Sequence, residues 1–144
     1  MAWPWTNLWN AWRRRPSPGG GLGKRGELAA EQYLRKAGMR VVERGLRLPS
    51  GELDLIAFDG ETLVFVEVKT RRSTSRGTPA LAVDRKKQAR MTRAAMHYLK
   101  SRKLTGCRAR FDVVAIVWPE GGSEPSIEHF RNAFEAHGDD GFHS

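Results

Sequence analysis

A chain of 144 residues with 40% hydrophobic content can bury one ordinary core. Its single cysteine, Cys107, excludes an internal disulfide and a cysteine-rich zinc site, and no apolar run reaches the roughly 20 residues of a membrane span. The net charge of +9 is unevenly spread: residues 1–118 carry 24 Lys and Arg against 10 Asp and Glu, whereas residues 119–144 carry 1 against 6.

Residues 1–22 differ in character from the rest of the chain. Trp5, Leu8, Trp9 and Trp12 repeat at the spacing of one helical face, Arg13-Arg14-Arg15 comes next, and Pro16, Pro18 and Gly19-Gly20-Gly21 form a linker. Two readings stand for this stretch: a short helix for a membrane surface or a partner, and a disordered extension. The domain is expected over residues 23–136, with 137–144 as a tail. Its first helix is expected over residues 26–37, with Ala30, Tyr33, Leu34 and Ala37 inward and Gly38 at the C-terminal cap. Glu27 falls at the rim of that face, within reach of a sheet edge, and Glu31 points more toward solvent. A first strand is expected over residues 39–46 and a loop over 48–51. Strands over 52–58 and 63–69 come after it, joined by an Asp59-Gly60 hairpin turn.

A basic loop over residues 71–77 leads to a second helix over 84–102. Met91, Ala95, Tyr98 and Leu99 give this helix an apolar face, while Lys86, Arg90, Arg93, His97 and Lys100 recur at +4, +3, +4 and +3 as a basic stripe. A solvated helix usually mixes charge signs, so a stripe of one sign is read as a phosphate-backbone contact over a plain solvated face. A long strand over residues 108–118 and a short one over 126–129 complete the domain. Cys107 is expected to be a small buried apolar residue, and the cysteine usage fits a reducing cytoplasm. The basic domain favours a nucleic acid as partner, because Lys and Arg that neutralise phosphates release counterions.

The chemistry concentrates at Asp54 and, thirteen residues later, Glu67-Val68-Lys69. Alternation along a strand puts Glu67 and Lys69 on one face, and Asp54 can join them from the adjoining strand. Two carboxylates and an ammonium at the ends of apolar strands are costly unless a cation or an anionic substrate compensates them. The plain alternative is a solvated ion pair of Lys69 with Glu67 or Asp54.

The blocks Gly23-Lys24-Arg25-Gly26-Glu27 with Ala30 and Tyr33-Leu34, Gly51 to Ala57, Leu63 to Arg71, Val83 with Lys86-Lys87, Arg110 to Val114 and Asn132-Ala133-Phe134 stand in a specific order. In that order they resemble the YraN-type bacterial family of the PD-(D/E)xK nuclease-like superfamily, similar to archaeal Holliday-junction resolvases. The resemblance spans residues 23–134. Leu53 stands where the superfamily's name has Pro, as in this family, and Gly45 stands where Asn is common.

The resemblance implies an α/β fold with a restriction-endonuclease-like core, a central mixed sheet flanked by helices in the order α-β-β-β-α-β. It implies a metal-dependent endonuclease acting on branched or nicked DNA, with Mg²⁺, or Mn²⁺, held by Asp54, Glu67 and an outer Glu27. The Val68 carbonyl would be a further ligand and Lys69 a catalytic ammonium beside them. Arg71, Arg72, Lys86, Arg90 and Arg93 are the expected nucleic-acid contacts. Similar resolvases act as dimers, which makes a homodimer an implied assembly. Glu52 shares the alternation of Asp54, but its place at the strand entry suits a turn or capping role. The alternative function is a non-catalytic nucleic-acid-binding accessory that keeps the fold and the charges.

Overall fold

The computed structural model describes residues 21–73, 83–121 and 124–137. The Trp-rich extension up to residue 20, the basic loop from residue 74 and the tail from residue 138 lie outside the described residues. The chain forms α1 (Leu22–Lys36), β1 (Arg40–Leu48), β2 (Gly51–Asp59), β3 (Thr62–Arg71), α2 (Arg85–Ser101), β4 (Ala109–Val117) and β5 (Ser126–Phe134). The strands lie in chain order in one mixed sheet, with β3 and β4 parallel and the other neighbours antiparallel. The parallel pair requires a long crossover, and α2 supplies it. The α/β architecture expected from the sequence is present, with β5 as a full final strand.

The alternation of apolar residues divides the core between the two faces. On one, Met91, Ala94, Ala95, Tyr98 and Leu99 of α2 pack on Ile56, Phe58, Leu63, Phe65, Phe111 and Val113. On the other, Ala30 and Leu34 of α1 pack on Leu55, Ala57, Val64, Val66, Val114 and Ile116. Phe65 and Phe111 are almost wholly buried with ring centroids 5.7 Å apart, and burying each side chain contributes about 2–3 kcal/mol. The Asp84 side chain caps α2 by accepting from the Lys87 N–H at 2.8 Å. The expected basic stripe, Lys86, Arg90, Arg93, His97 and Lys100, is exposed along the outer side of α2.

Several local expectations are corrected. Helix α1 starts at Leu22, four residues early, because Gly26 serves close packing and does not break the helix. A β-carbon at Gly26 would run into Thr70 Oγ1 of β3. Ala37 is the exposed C-cap residue and does not join the inward face; Gly38 comes next at φ +92°. Glu31 is buried and not solvated, because Arg35 from the next turn and Arg44 from β1 hold its carboxylate at 3.1 and 3.2 Å. Gly45 lies inside β1 with φ +57° and, from the pairs on either side of it, opposite Asp54. In the β2–β3 hairpin Asp59 is still paired, with Thr62, so the turn residues are Gly60 and Glu61. Cys107 is half-buried, and its thiol donates to the Glu61 carbonyl at 3.3 Å.

β5 is longer than expected because Asp112 of β4 organises its second half. Asp112 is fully buried and accepts from Arg110 Nε at 2.9 Å and from the Asn132 N–H at 2.9 Å, with His129 Nε2 at 2.7 Å. Asn132 has φ +51°, and the β4–β5 register shifts between Phe111 and Val113. The carboxylate thereby takes up a backbone donor where the ladder is interrupted. Beyond the interruption Phe134 stacks on Phe111 at 4.6 Å.

The closeness of α1 to β3 at Gly26 and Thr70 sets the position of the next residue, Glu27. Gly26→Ala is therefore expected to destabilise the fold by about 1–3 kcal/mol in a denaturant titration, as overpacking does. Adding Thr70→Ala removes the nearest clashing atom and should recover part of the loss. Equal stability of Gly26→Ala and the native chain would show that the contact does not constrain α1.

Candidate functional site

The first residues of β2, the last of β3 and the starts of both helices meet at one edge of the sheet. The β2–β3 ladder runs from Asp59 and Thr62 to Leu55 and Val66, and at Asp54 the two strands part. Leu53 lies in the α2-side core, Leu55 in the α1-side core and Ile56 again in the α2-side core, so the regular alternation slips at Asp54. The positive φ of Gly45, opposite, is a conformation glycine adopts without steric cost. Asp54 Oδ2 accepts from the Val68 N–H at 2.9 Å, a side chain serving as ladder partner beyond the last pair.

Glu67 is buried, and its Oε1 receives two ammoniums, Lys69 Nζ at 3.4 Å and Lys87 Nζ at 3.2 Å. Lys69 comes from the same strand by alternation, as the sequence predicts. Lys87 arrives from the first turn of α2, where the Asp84 cap fixes its backbone. The sequence stripe passes it by, because Lys87 stands on the flank between the exposed basic row and the apolar face. Glu27, half-buried on α1, bears on this group through its charge.

The electrostatics are those of crowded like charges. Burial pushes the Asp54 carboxyl up to about 7, the charges of Glu67 and Glu27 add to the rise, and the Val68 N–H opposes it. Burial likewise raises Glu27, against the pull of Lys24 and with the push of Glu67 and Glu52. Such a group favours a proton or a cation over three free negative charges. Its donors are hard oxygens, the kind that suit Mg²⁺ or Mn²⁺, so the residues present fit such an ion. Among the described residues no three His, Cys, Asp or Glu side chains already close on one point. Asp54 and Glu67 are the adjoining pair, and Glu27 stands as the outer carboxylate. Glu52 is exposed and paired with Arg47 at 3.2 Å, away from a ligand role.

The expected phosphate contacts divide into two groups. Arg71 and Arg72 succeed Lys69 at the end of β3, where Arg72 Nη1 donates to the Trp118 carbonyl at 3.2 Å. Arg25 of α1 lies with its guanidinium 4.3 Å from the Trp118 ring centroid, extending the basic rim on the α1 side. Lys86, Arg90 and Arg93 line the outer side of α2. Among the described residues no helix is long and apolar enough to cross a membrane.

The model of uncharacterised protein family UPF0102 matches residues 26–116, which contain Glu27, Asp54, Glu67, Lys69 and Lys87. A UPF0102 protein of Rhodopirellula baltica is 50% identical over 125 residues, covering 85% of this chain and 75% of the relative. UPF0102 proteins of Desulfosudis oleivorans and Rhodococcus opacus are each 50% identical, over 79% and 78% of this chain and 89% and 95% of their own lengths. The chain belongs to the UPF0102 family, in agreement with the YraN-type resemblance of its motifs.

A carboxyl raised on folding contributes stability while protonated, fully below its unfolded value near 3.8 and progressively less as pH rises toward 7. Asp54→Asn keeps an acceptor for the Val68 N–H and removes the charge. Its melting temperature without divalent cations should exceed that of the native chain at pH 8, with the advantage shrinking toward pH 4. A difference independent of pH would show that Asp54 titrates normally.

Proposed function

We propose that this UPF0102 chain is a divalent-cation-dependent nuclease that hydrolyses phosphodiester bonds in DNA, with branched or nicked recombination and repair intermediates as substrates. The observation that carries the reading is the pairing of half-buried Asp54 with buried Glu67, under the charge of Glu27 and with Lys69 Nζ 3.4 Å from Glu67. Asp54 and Glu67 would hold Mg²⁺, or Mn²⁺ in its place, with Glu27 as an outer carboxylate. Residues of a strand direct their N–H and C=O to the same side. The Val68 N–H faces Asp54, so its carbonyl is a suitable further oxygen. When bound, the cation supplies charge stabilisation at the scissile phosphate and acidifies a water.

The chain's own groups do the rest. Lys69 bears on the developing charge of the phosphate or orients the attacking water. Glu67 fixes Lys69 there. Arg71, Arg72, Lys86, Arg90 and Arg93 would hold the backbone on either side of the cut, contacts that position a duplex without reading its bases. A homodimer would match the two symmetric cuts of a four-way junction.

The second reading is a nucleic-acid-binding accessory without cleavage, favoured by the exposed basic row on α2. It leaves the carboxylate pair unaccounted for, since negative charges held against a polyanion weaken binding unless a cation intervenes.

Cleavage of labelled linear duplex, single-stranded, flap and four-way-junction DNA, with Mg²⁺, Mn²⁺ or EDTA, tests the reading. Asp54→Ala or Glu67→Ala should lower cation-dependent cleavage by about two to three orders of magnitude or more while metal-free DNA binding holds or tightens. Cleavage persisting in both variants would sink the assignment, and binding without cleavage on every substrate would favour the accessory role.

Replacing both Arg90 and Arg93 with Ala should weaken binding to all sequences and reduce the slope of log affinity against log salt by about two. An unaltered slope would make the α2 row a solvated face.

A further inference from the structure

Helix α2 breaks a local rule at its start. Arg85, Lys86 and Lys87 fill the first turn, where a helix N-terminus disfavours cations, with Asp84 at the N-cap as the acidic residue beside them. Lys86 is exposed, and Lys87 instead turns inward to Glu67 Oε1 at 3.2 Å, closer than Lys69 at 3.4 Å. Both ammoniums thus share one oxygen of a buried carboxylate, while Asp54 faces the same residue with no ion pair to a cation among the described residues.

We propose that Lys87 is a second ammonium of the site. It neutralises Glu67 until a divalent cation competes for that carboxylate, and then bears on a phosphate oxygen of the DNA beside Lys69. This inference rests on the nuclease reading and adds a residue from α2 to it. The geometry gives Lys87 two positions at small cost. Its backbone is pinned by the Asp84 cap, and its ammonium, two-thirds covered, sits on a flexible four-carbon stem. Releasing Glu67 costs little if an incoming cation replaces the charge that leaves.

The test is a Mn²⁺ titration of the full chain monitored by electron paramagnetic resonance, with cleavage measured in parallel. Lys87→Met removes a competitor for Glu67 and should tighten Mn²⁺ binding about threefold to tenfold, while cleavage falls about tenfold or more. Lys87→Arg presents a forked guanidinium that grips a carboxylate through two bonds, and should weaken Mn²⁺ binding relative to the native chain. The expected affinity order is Lys87→Met above the native chain above Lys87→Arg. A purely structural Lys87 would leave Mn²⁺ affinity unchanged in both variants, which would overturn the proposal. If Lys87→Met fails to fold, Lys87→Arg decides alone: unchanged or tighter Mn²⁺ binding rejects it. Glu67→Gln separates the two readings. Loss of Mn²⁺ binding in Glu67→Gln with unaltered affinity in the Lys87 variants defeats only the role of Lys87, whereas Mn²⁺ binding that survives Glu67→Gln defeats the metal site itself.

Discussion

Between Leu55 and Asp54 the β2–β3 ladder ends, and the Val68 N–H that lies beyond it is taken by the Asp54 carboxylate at 2.9 Å. That bond ties the parting strands together and fixes where everything else must stand. It sets Asp54 against Glu67, makes the end of β3 the floor of the site, and brings Lys69 in by alternation. The two helices close the site from opposite faces. α1 can approach because Gly26 has no side chain to meet Thr70, and α2 because Lys87 spans the gap to Glu67. Regular pairing of β2 at Asp54 would satisfy the same N–H with backbone and turn the carboxylate elsewhere.

The sheet holds a buried aspartate, Asp112, and a half-buried one, Asp54, with opposite fates. Burial works to raise Asp112, but hydrogen bonds from His129, Arg110 and the Asn132 N–H outweigh it and hold its carboxyl below the usual range. Asp112 is a satisfied clasp for the interrupted β4–β5 ladder. Arg110 continues from it to Asp59, which Arg131 of β5 also meets, each at 3.0 Å. Among the described residues Asp54 has one backbone donor and two carboxylate neighbours, and its carboxyl is pushed up instead. A fold that can neutralise Asp112 with several donors could have done so at Asp54. That contrast is what the proposed ligand role of Asp54 rests on.

Much of this is legible in the sequence because it depends on period. Alternation marks β2 and β3 and puts Glu67 and Lys69 on one face; the 3.6-residue repeat and Asp84 mark α2 within a residue at each end. What depends on contact between distant elements is not legible. Glu31 looks solvated on its own helix and is buried because Arg44 of β1 meets it. Gly26 looks like a helix boundary because its reason, Thr70, is forty-four residues away. β5 looks short because its second half depends on Asp112 holding the Asn132 N–H. Lys87 is visible in the motif Val83 with Lys86-Lys87, but a helical wheel ranks a flank residue by angle and says nothing of how far a lysine reaches.

Helix α2 is moored to the sheet by an ion pair at each end, Lys87 with Glu67 and Arg102 with Glu43, the latter at 3.0 Å. The moorings differ in what surrounds them. Arg102 lies near the Tyr98 ring, and burial with Arg102 beside it governs Glu43 alone. Glu67 instead shares its surroundings with Asp54, Lys69 and Glu27. Leaving a buried carboxylate without its partner costs about 3–5 kcal/mol, a cost Glu43 would meet on losing Arg102, whereas Glu67 keeps Lys69 at 3.4 Å when Lys87 leaves. In the proposed nuclease reading, the carboxylates beside Glu67 would draw in a divalent cation, and the Lys87 contact would be the one it replaces. Under that proposal stability and function meet in one ion pair: it holds the start of α2 in place while the site is filled by ammonium, and it would be given up when a divalent cation fills it.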